Sequence, residues 1–196
     1  ELYRANLSRG PLAVAISMGG ADAPNKTLRV LESVRRVSSP MLFWVLLGEG
    51  YQHSYQALVD CVRSDRRHEI ILARTVDSMW LIMSGCSVAI LAGGITAYDA
   101  AYAGLPSIIT LDEADQKCLI QELVSGGAAF YAGAPLEAAL DGMVDTLAYL
   151  DHNRDVLLTM HTRGQALLDR DGARRIAEEI LAFDARRDRI PEVLCA

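Results

Sequence analysis

Two glycine pairs follow predicted strands and could bring backbone amides close to an anion. Gly19-Gly20 comes after the first predicted strand, and Gly93-Gly94 comes after the fourth. Glycine permits positive φ and a close approach of the backbone to a ligand. The helix predicted after Gly94 opens with Thr96, so its free N–H groups and its dipole favour a phosphate. Asp99, on the first turn of that helix, can accept hydrogen bonds from sugar hydroxyls.

The same residues also have a purely structural interpretation. Glycines are common in strand-to-helix turns because they allow tight packing, and Thr96 with Asp99 makes an imperfect capping box, with Asp in place of Glu or Gln. The chain lacks the GxGxxG pattern of typical NAD-binding folds and the GxxxxGK[ST] pattern of P-loop proteins. The spacing therefore leaves a phosphate site and a packing role both open, and it excludes P-loop chemistry.

Apolar strands that alternate with helices must position these turns. The predicted strands are Leu12–Met18, Leu42–Leu47, Glu69–Ala73, Ser87–Ala92, Pro106–Leu111 and a short sixth piece, Ala128–Ala132. The predicted helices cover Lys26–Val37, Tyr51–Val62, a stretch through Met83 that Asp77 could cap, Gln116–Val124, and broken segments from Leu136 to Phe183. Strands that are apolar at nearly every residue are buried on both faces, which is typical of a parallel sheet.

We therefore predict an α/β fold, with a doubly wound, mostly parallel, Rossmann-like sheet of about six strands and additional carboxyl-terminal helices. One domain over residues 1–196 is the economical interpretation, because no repeat, low-complexity segment or linker interrupts the chain.

Composition and spacing exclude several classes of function. The 196 residues are 51% hydrophobic, which indicates a globular domain. The net charge of −6 argues against general binding of nucleic acid. The four cysteines and four histidines show no metal-ligand spacing, so neither a metal nor a cofactor is expected. No apolar run is long enough for a membrane span and no signal peptide is evident, which makes the cytoplasm the expected compartment.

With these motifs, the chain resembles the carboxyl-terminal domain of GT-B-fold proteins that use UDP-sugars. Gly19-Gly20-Ala21-Asp22 is similar to the Gly-Gly-x-Asp of the UDP-sugar hydrolases of pseudaminic acid biosynthesis and of the related spore-coat polysaccharide proteins. The segment from Gly93 to Ser107, with its Ala-Gly-Leu-Pro, is similar to the nucleotide-binding segment shared with the N-acetylglucosaminyltransferases that make lipid II. Asp115-Gln116 falls where the hydrolases carry Asn-Gln.

The resemblance implies a ligand contact at each matched position. These contacts are Val76 with uracil; Gly93, Gly94, Ile95 and Thr96 with the diphosphate; Asp99 with the ribose; Asp115 and Gln116 with the sugar; and Gly19, Gly20 and Asp22 with the substrate. The chain departs from the pattern at three positions. Ile95 stands where the hydrolases often have Ser, Asp99 where Glu is usual, and Asp115 where they have Asn.

In these families the active site lies between two such domains, and the general base of the hydrolase is a histidine of the amino-terminal domain. The resemblance therefore implies the UDP-sugar-binding half of a hydrolase, with a missing amino-terminal GT-B domain as its partner. The alternatives are the donor half of an inverting glycosyltransferase and a non-catalytic binding or partner domain, since a fold alone does not fix function. A homo-oligomer also stays open, because the last predicted helix has an apolar face with Ile176, Ile180 and Leu181.

Overall fold

The computed structural model describes residues 2–8, 10–74 and 78–187, and six strands in these ranges form one sheet. The strands are β1 (Leu12–Ser17), β2 (Met41–Leu47), β3 (Glu69–Arg74), β4 (Val88–Ala92), β5 (Ser107–Thr110) and β6 (Ala129–Gly133). Their order is β3-β2-β1-β4-β5-β6, and every neighbouring pair is parallel. The predicted α/β fold class is confirmed, and each strand end lies within one residue of its predicted position.

Helices cover both faces of the sheet. They are α1 (Leu2–Leu7), α2 (Lys26–Val34), α3 (Tyr55–Ser64), α4 (Met79–Met83), α5 (Ile95–Ala103), α6 (Gln121–Ser125), α7 (Leu136–His152), α8 (Arg154–Leu167) and α9 (Gly172–Arg187). A 3-10 helix, Ala114–Ile120, precedes α6, so the helix predicted from Gln116 to Val124 is two elements. Within the described ranges, no helix combines the length and the apolar character that crossing a membrane requires.

Two helices begin at positions that the sequence patterns do not predict. α3 begins at Tyr55 rather than Tyr51, because the Ser54 hydroxyl accepts a hydrogen bond from the Ala57 N–H at 3.3 Å and caps the helix. The sequence patterns give no indication of α1, a short helix whose Tyr3 and Leu7 pack on the core.

The core has two layers because the central strands are buried on both faces. Val14 and Ile16 of β1 pack in the layer that contains α2 and α7, whereas Ala15 packs in the layer that contains α4, α5 and α6. Successive side chains of a strand point to opposite faces, so a strand buried on both sides is apolar throughout. The apolar runs in the sequence thus follow directly from this double coverage.

Candidate functional site

The strand order reverses beside β1, which pairs with both β2 and β4. In open parallel sheets, ligands bind outside the carboxyl ends of the strands at such a reversal. Here the reversal holds a cavity of about 420 Å³, which we call the switch crevice. Among its lining residues are Gly19, Gly20, Gly48, Glu49, Gly50 and Thr96. The structure therefore brings Gly19, Gly20 and Thr96, three of the predicted site residues, around one cavity.

A third glycine turn, Gly48-Glu49-Gly50 after β2, also lines the switch crevice, and the sequence interpretation missed it. A Cβ at Gly48 would collide with the backbone of Gly20, and the Gly50 N–H donates a hydrogen bond to the Gly20 carbonyl at 3.0 Å. The turns after β1 and β2 are thus in direct backbone contact, which glycine at position 48 permits. The available signal was similar, namely two glycines separated by one residue directly after a predicted strand.

The turn after β1 is closed by its own side chains. Gly19 has a φ of +92°, in the left-handed region that favours glycine. The buried Asp22 carboxylate accepts hydrogen bonds from the N–H groups of Lys26 at 2.8 Å and Thr27 at 2.9 Å. Asp22 therefore caps α2 and is not among the residues that line the switch crevice. A substrate contact by Asp22 stays a prediction.

The turn after β4 leads into α5 without a side-chain cap. α5 begins at Ile95, one residue before the predicted Thr96, and Gly94 occupies the N-cap position in an extended conformation. Because no side chain caps this helix, the Thr96–Asp99 capping box is wrong. The first N–H groups of a helix have no partner within the helix, and Gly94 and Ile95 are exposed. The start of α5 therefore offers free N–H groups to an anion.

The two glycines of this turn are required for different reasons. A Cβ at Gly93 would collide with the Leu111 side chain, so the packing interpretation applies to Gly93. A Cβ at Gly94 would have Ala92 O as its nearest neighbour, at 4.0 Å, so packing places no demand for glycine there. Gly94 instead borders the space that a ligand of the helix start would occupy.

Ile95 and Asp99 border two further cavities beside α5. Ile95 is 81% exposed and borders a cavity of about 580 Å³ together with Gly94, Tyr98 and Leu119. Asp99 is exposed and borders a cavity of about 650 Å³, opposite the connection between α8 and α9. The structure thus places Thr96 at the switch crevice and Asp99 one helical turn farther along α5, outside the lining of the crevice.

Asp115 and Gln116 lie at the start of the 3-10 helix that follows β5. The Gln116 Oε1 accepts hydrogen bonds from the N–H groups of Asp112 at 3.2 Å and Glu113 at 3.3 Å, as part of a capping box. Its amide NH₂ group makes no hydrogen bond to the described residues and can donate to a ligand. Asp115 is exposed.

An ion pair between Lys26 Nζ and Asp112 Oδ1, at 2.6 Å, joins the segment after β5 to the first turn of α2. Lys26 is buried, and its charge is paired with Asp112. The Lys26 ammonium group is therefore not counted among the anion ligands of the switch crevice. Glu49 is the one charged side chain among the described residues that line the crevice. Backbone N–H groups, rather than cationic side chains, are therefore the available anion ligands.

Two residues with predicted roles lie in a segment that the structure does not describe. Val76, the predicted uracil contact, and Asp77, the predicted cap of α4, lie outside the described residues. Within the described part of the chain, no group of three or more His, Cys, Asp or Glu side chains is arranged to hold a metal ion.

The sheet order, the two helical layers and the glycine-lined switch crevice define a doubly wound α/β domain. Among solved structures, MurG from Acinetobacter baumannii is similar, with a TM-score of 0.72 and 19% identity over 88% of this chain and 52% of that one. UDP-GlcNAc 2-epimerase from Neisseria meningitidis, bound to UDP-GlcNAc, has a TM-score of 0.58 and 14% identity over 92% of this chain and 47% of that one.

The glycosyltransferase VinC, in complex with DTDP, is a third similar structure, with a TM-score of 0.54 and 16% identity over 82% of this chain and 40% of that one. The chain thus spans about half the length of these proteins or less, and at such identities the likeness shows the shared fold. No protein-family model matches the chain, and no curated protein matches its sequence.

Proposed function

We propose that the switch crevice and the start of α5 bind the diphosphate of a UDP-sugar. The observation that carries this proposal is the uncapped helix start at Gly94 and Ile95, beside a glycine-lined cavity at the strand-order reversal. Free N–H groups and the helix dipole stabilise a diphosphate there without a cationic side chain. Two structures of similar fold hold UDP-GlcNAc and DTDP, which supports a pyrimidine nucleoside diphosphate as the ligand class.

The other predicted contacts extend from this anchor. Asp99, one turn along α5, accepts hydrogen bonds from the ribose hydroxyls, and Val76 contacts the uracil. Asp115 and the free NH₂ group of Gln116 contact the sugar from the segment after β5. Ile95 supplies a backbone N–H but no hydroxyl, so the diphosphate depends more strongly on the backbone here than it would with serine at this position.

The chain is proposed to be the donor-binding half of a UDP-sugar hydrolase in surface polysaccharide or nonulosonic acid biosynthesis. Water attacks the anomeric carbon, the bond from that carbon to the diphosphate oxygen breaks, and UDP leaves with the electron pair. The N–H groups at the start of α5 stabilise the departing diphosphate. An amino-terminal partner domain supplies the base that takes the proton from water, which is consistent with the partial coverage of the similar structures.

The second candidate function is the donor-binding half of an inverting glycosyltransferase, in which an alcohol replaces water. The structural likeness to the glycosyltransferase VinC favours it. The Gly-Gly-x-Asp segment at Gly19–Asp22 favours the hydrolase, through the resemblance described above.

Calorimetry with UDP, UDP-GlcNAc, GDP and ADP tests the binding proposal. We expect UDP and UDP-GlcNAc to bind more tightly than GDP and ADP. The Gly94→Ala variant is the sharpest test of the anchor, because a Cβ there meets no protein atom closer than 4.0 Å and would instead enter the space proposed for the ligand. We expect UDP affinity to fall roughly 10-fold or more through steric exclusion of the ligand, with at most a small fall in the melting temperature from alanine at the N-cap position.

Gly172→Ala is the matched control, because the nearest atom to a Cβ there is Arg175 Nη2 at 3.9 Å, far along the chain from the crevice. This variant should bind UDP like the parent chain. Equal or absent heats for all four nucleotides would contradict the donor-site proposal and favour a non-catalytic partner domain.

A further inference from the structure

A further cavity opens at the amino ends of the strands, on the side of the sheet opposite to the switch crevice. Cys86, which precedes β4, and Leu105, which precedes β5, both line it, so it lies at the amino ends of these strands. Its volume is about 510 Å³, and ligand pockets commonly measure about 300–1,000 Å³. We call it the amino-edge cavity. It shares no lining residue with the switch crevice or with the cavities beside Ile95 and Asp99.

Aromatic rings held in fixed positions line the amino-edge cavity. The Tyr3 ring stacks on the His161 ring, with centroids 4.3 Å apart and planes 9° from parallel. The Tyr3 hydroxyl donates a hydrogen bond to the Ser87 carbonyl at 2.5 Å, which fixes the ring from the other end. Trp80 and Met83 of α4 add further apolar surface. Such walls favour a flat, weakly polar molecule.

His161 lines the cavity, and its hydrogen bonding leaves one ring nitrogen unused. His161 Nδ1 lies 2.5 Å from the Gly104 carbonyl, and because a carbonyl can only accept, Nδ1 must carry the hydrogen. The neutral ring then keeps its lone pair on Nε2. Within the described residues, this Nε2, the indole N–H of Trp80 and the amide of Gln165 have no hydrogen-bond partner. An acceptor and donors are therefore available to a ligand.

The lining residues also disfavour charged ligands. Of the described side chains that line the amino-edge cavity, none belongs to Asp, Glu, Lys or Arg. A phosphate, carboxylate or ammonium group placed there would lose water without gaining a counter-charge, which is costly. The cavity thus differs in chemistry from the start of α5, where an anion is favoured.

We propose that the amino-edge cavity is a second binding site, for an uncharged planar heteroaromatic molecule of about nucleobase size. A ring N–H of the ligand donates to His161 Nε2, and the Trp80 N–H can donate to a ring acceptor. The aromatic walls bury the faces of the ligand. This site is independent of the UDP-sugar site, so either can exist without the other.

Benzimidazole is a suitable probe because it is planar, carries one ring N–H and one ring acceptor, and is mostly uncharged at pH 8. We expect it to bind the chain in calorimetry or in ligand-observed NMR. 1-Methylbenzimidazole lacks the N–H and should bind about 5–10-fold more weakly. Ala103→Trp places a large side chain at an exposed position on the rim of the cavity and should weaken benzimidazole binding at least 10-fold.

Ala138→Trp, at an exposed position on α7, is the matched control and should bind benzimidazole like the parent chain. The far-UV circular dichroism spectrum and the melting temperature of Ala103→Trp, compared with those of the parent chain, show whether that variant is folded. Absent binding of benzimidazole to the parent chain would overturn the proposal, as would unchanged binding to folded Ala103→Trp. Equal affinities for benzimidazole and 1-methylbenzimidazole would overturn the assigned hydrogen bond to His161 and with it the ligand class.

Discussion

The glycine turns after β1 and β4 look alike in sequence. They differ in whether the first N–H groups of the helix that follows have hydrogen-bond partners. After β1, the Asp22 carboxylate accepts hydrogen bonds from two N–H groups at the start of α2, and the turn after β2 packs against Gly20. After β4, Gly94 precedes an α5 that has no side-chain cap. The first turn is closed by the protein itself, whereas the second keeps its N–H groups free.

This difference shows that a glycine pair alone does not indicate an anion-binding site. What matters is whether the protein already satisfies the first N–H groups of the following helix. By this criterion the turn after β4 keeps the N–H groups that the proposed diphosphate site needs, and the turn after β1 forms part of the wall of the crevice.

The largest expected effect is a complete absence of turnover by this chain alone. A general base must lie within hydrogen-bond reach of the attacking water. His53, the histidine beside the turn after β1, has its Nε2 2.7 Å from the Asp22 carbonyl, so that nitrogen carries a hydrogen and cannot act as a base. We expect that this chain releases no UDP from UDP-N-acetylated sugars above the uncatalysed rate. A coupled assay for UDP measures this release.

Steady UDP release that is abolished by a substitution in this chain would show that it carries its own catalytic group.

The next largest effect should come from Gly48→Ala, which tests the closed side of the comparison. Its Cβ would collide with the Gly20 backbone, and backbone cannot move as easily as a side chain. We expect a loss of about 3 kcal/mol in the free energy of unfolding, measured by urea denaturation. Gly20→Ala is the control, since a Cβ at Gly20 has no atom within 4 Å. Comparable losses for both variants would mean that the two turns are not in the close contact described.

Asp99→Asn tests the open side of the comparison. The substitution removes the charge from the proposed ribose contact, which should weaken UDP binding by roughly 1.5–3 kcal/mol in calorimetry. Because Asp99 is exposed, the cost in unfolding free energy should be only about 0.5–1 kcal/mol, through the helix dipole. Unchanged UDP affinity together with a lower melting temperature would limit Asp99 to a structural role.

The smallest of these effects compares the first turns of α2 and α5 directly. Asp22→Ala removes the cap of α2 and should lower the free energy of unfolding by about 1–2 kcal/mol. Thr96→Ala removes no cap from α5 and should change it by less than about 0.5 kcal/mol. Urea denaturation of both variants checks the difference. A larger loss for Thr96→Ala than for Asp22→Ala would reverse the comparison.

The sheet could be predicted from the sequence because its signal is local. The runs at β1 and β4 are apolar at nearly every residue, and burial on both faces leaves few other interpretations. Gly19, Gly20 and Thr96, three residues that line the switch crevice, were predictable for the same reason, since each lies within four residues of the end of such a run.

The remaining features of the site depend on contacts between distant segments. Asp22 is an exception, because its hydrogen bonds to Lys26 and Thr27 are local; they accompany a φ of 45° that the sequence pattern does not indicate. The role of Gly48 depends on its contact with Gly20, in a neighbouring turn of the sheet. The pairing of Lys26 with Asp112 joins residues on either side of β4 and β5, and no local pattern predicts it.

The position of β1 between β2 and β4 has a consequence for assembly. β1, β2 and β3 pair among neighbours in sequence, but the switch crevice exists only after β4 has added to the free edge of β1. That step closes a long chain segment and is slower than local pairing. A nucleotide that binds in the crevice, as proposed, would stabilise only states in which β4 has joined β1, so its binding would report that step of assembly. β1 gains hydrogen-bonded partners on both edges, and its amides should be among the last to exchange with solvent.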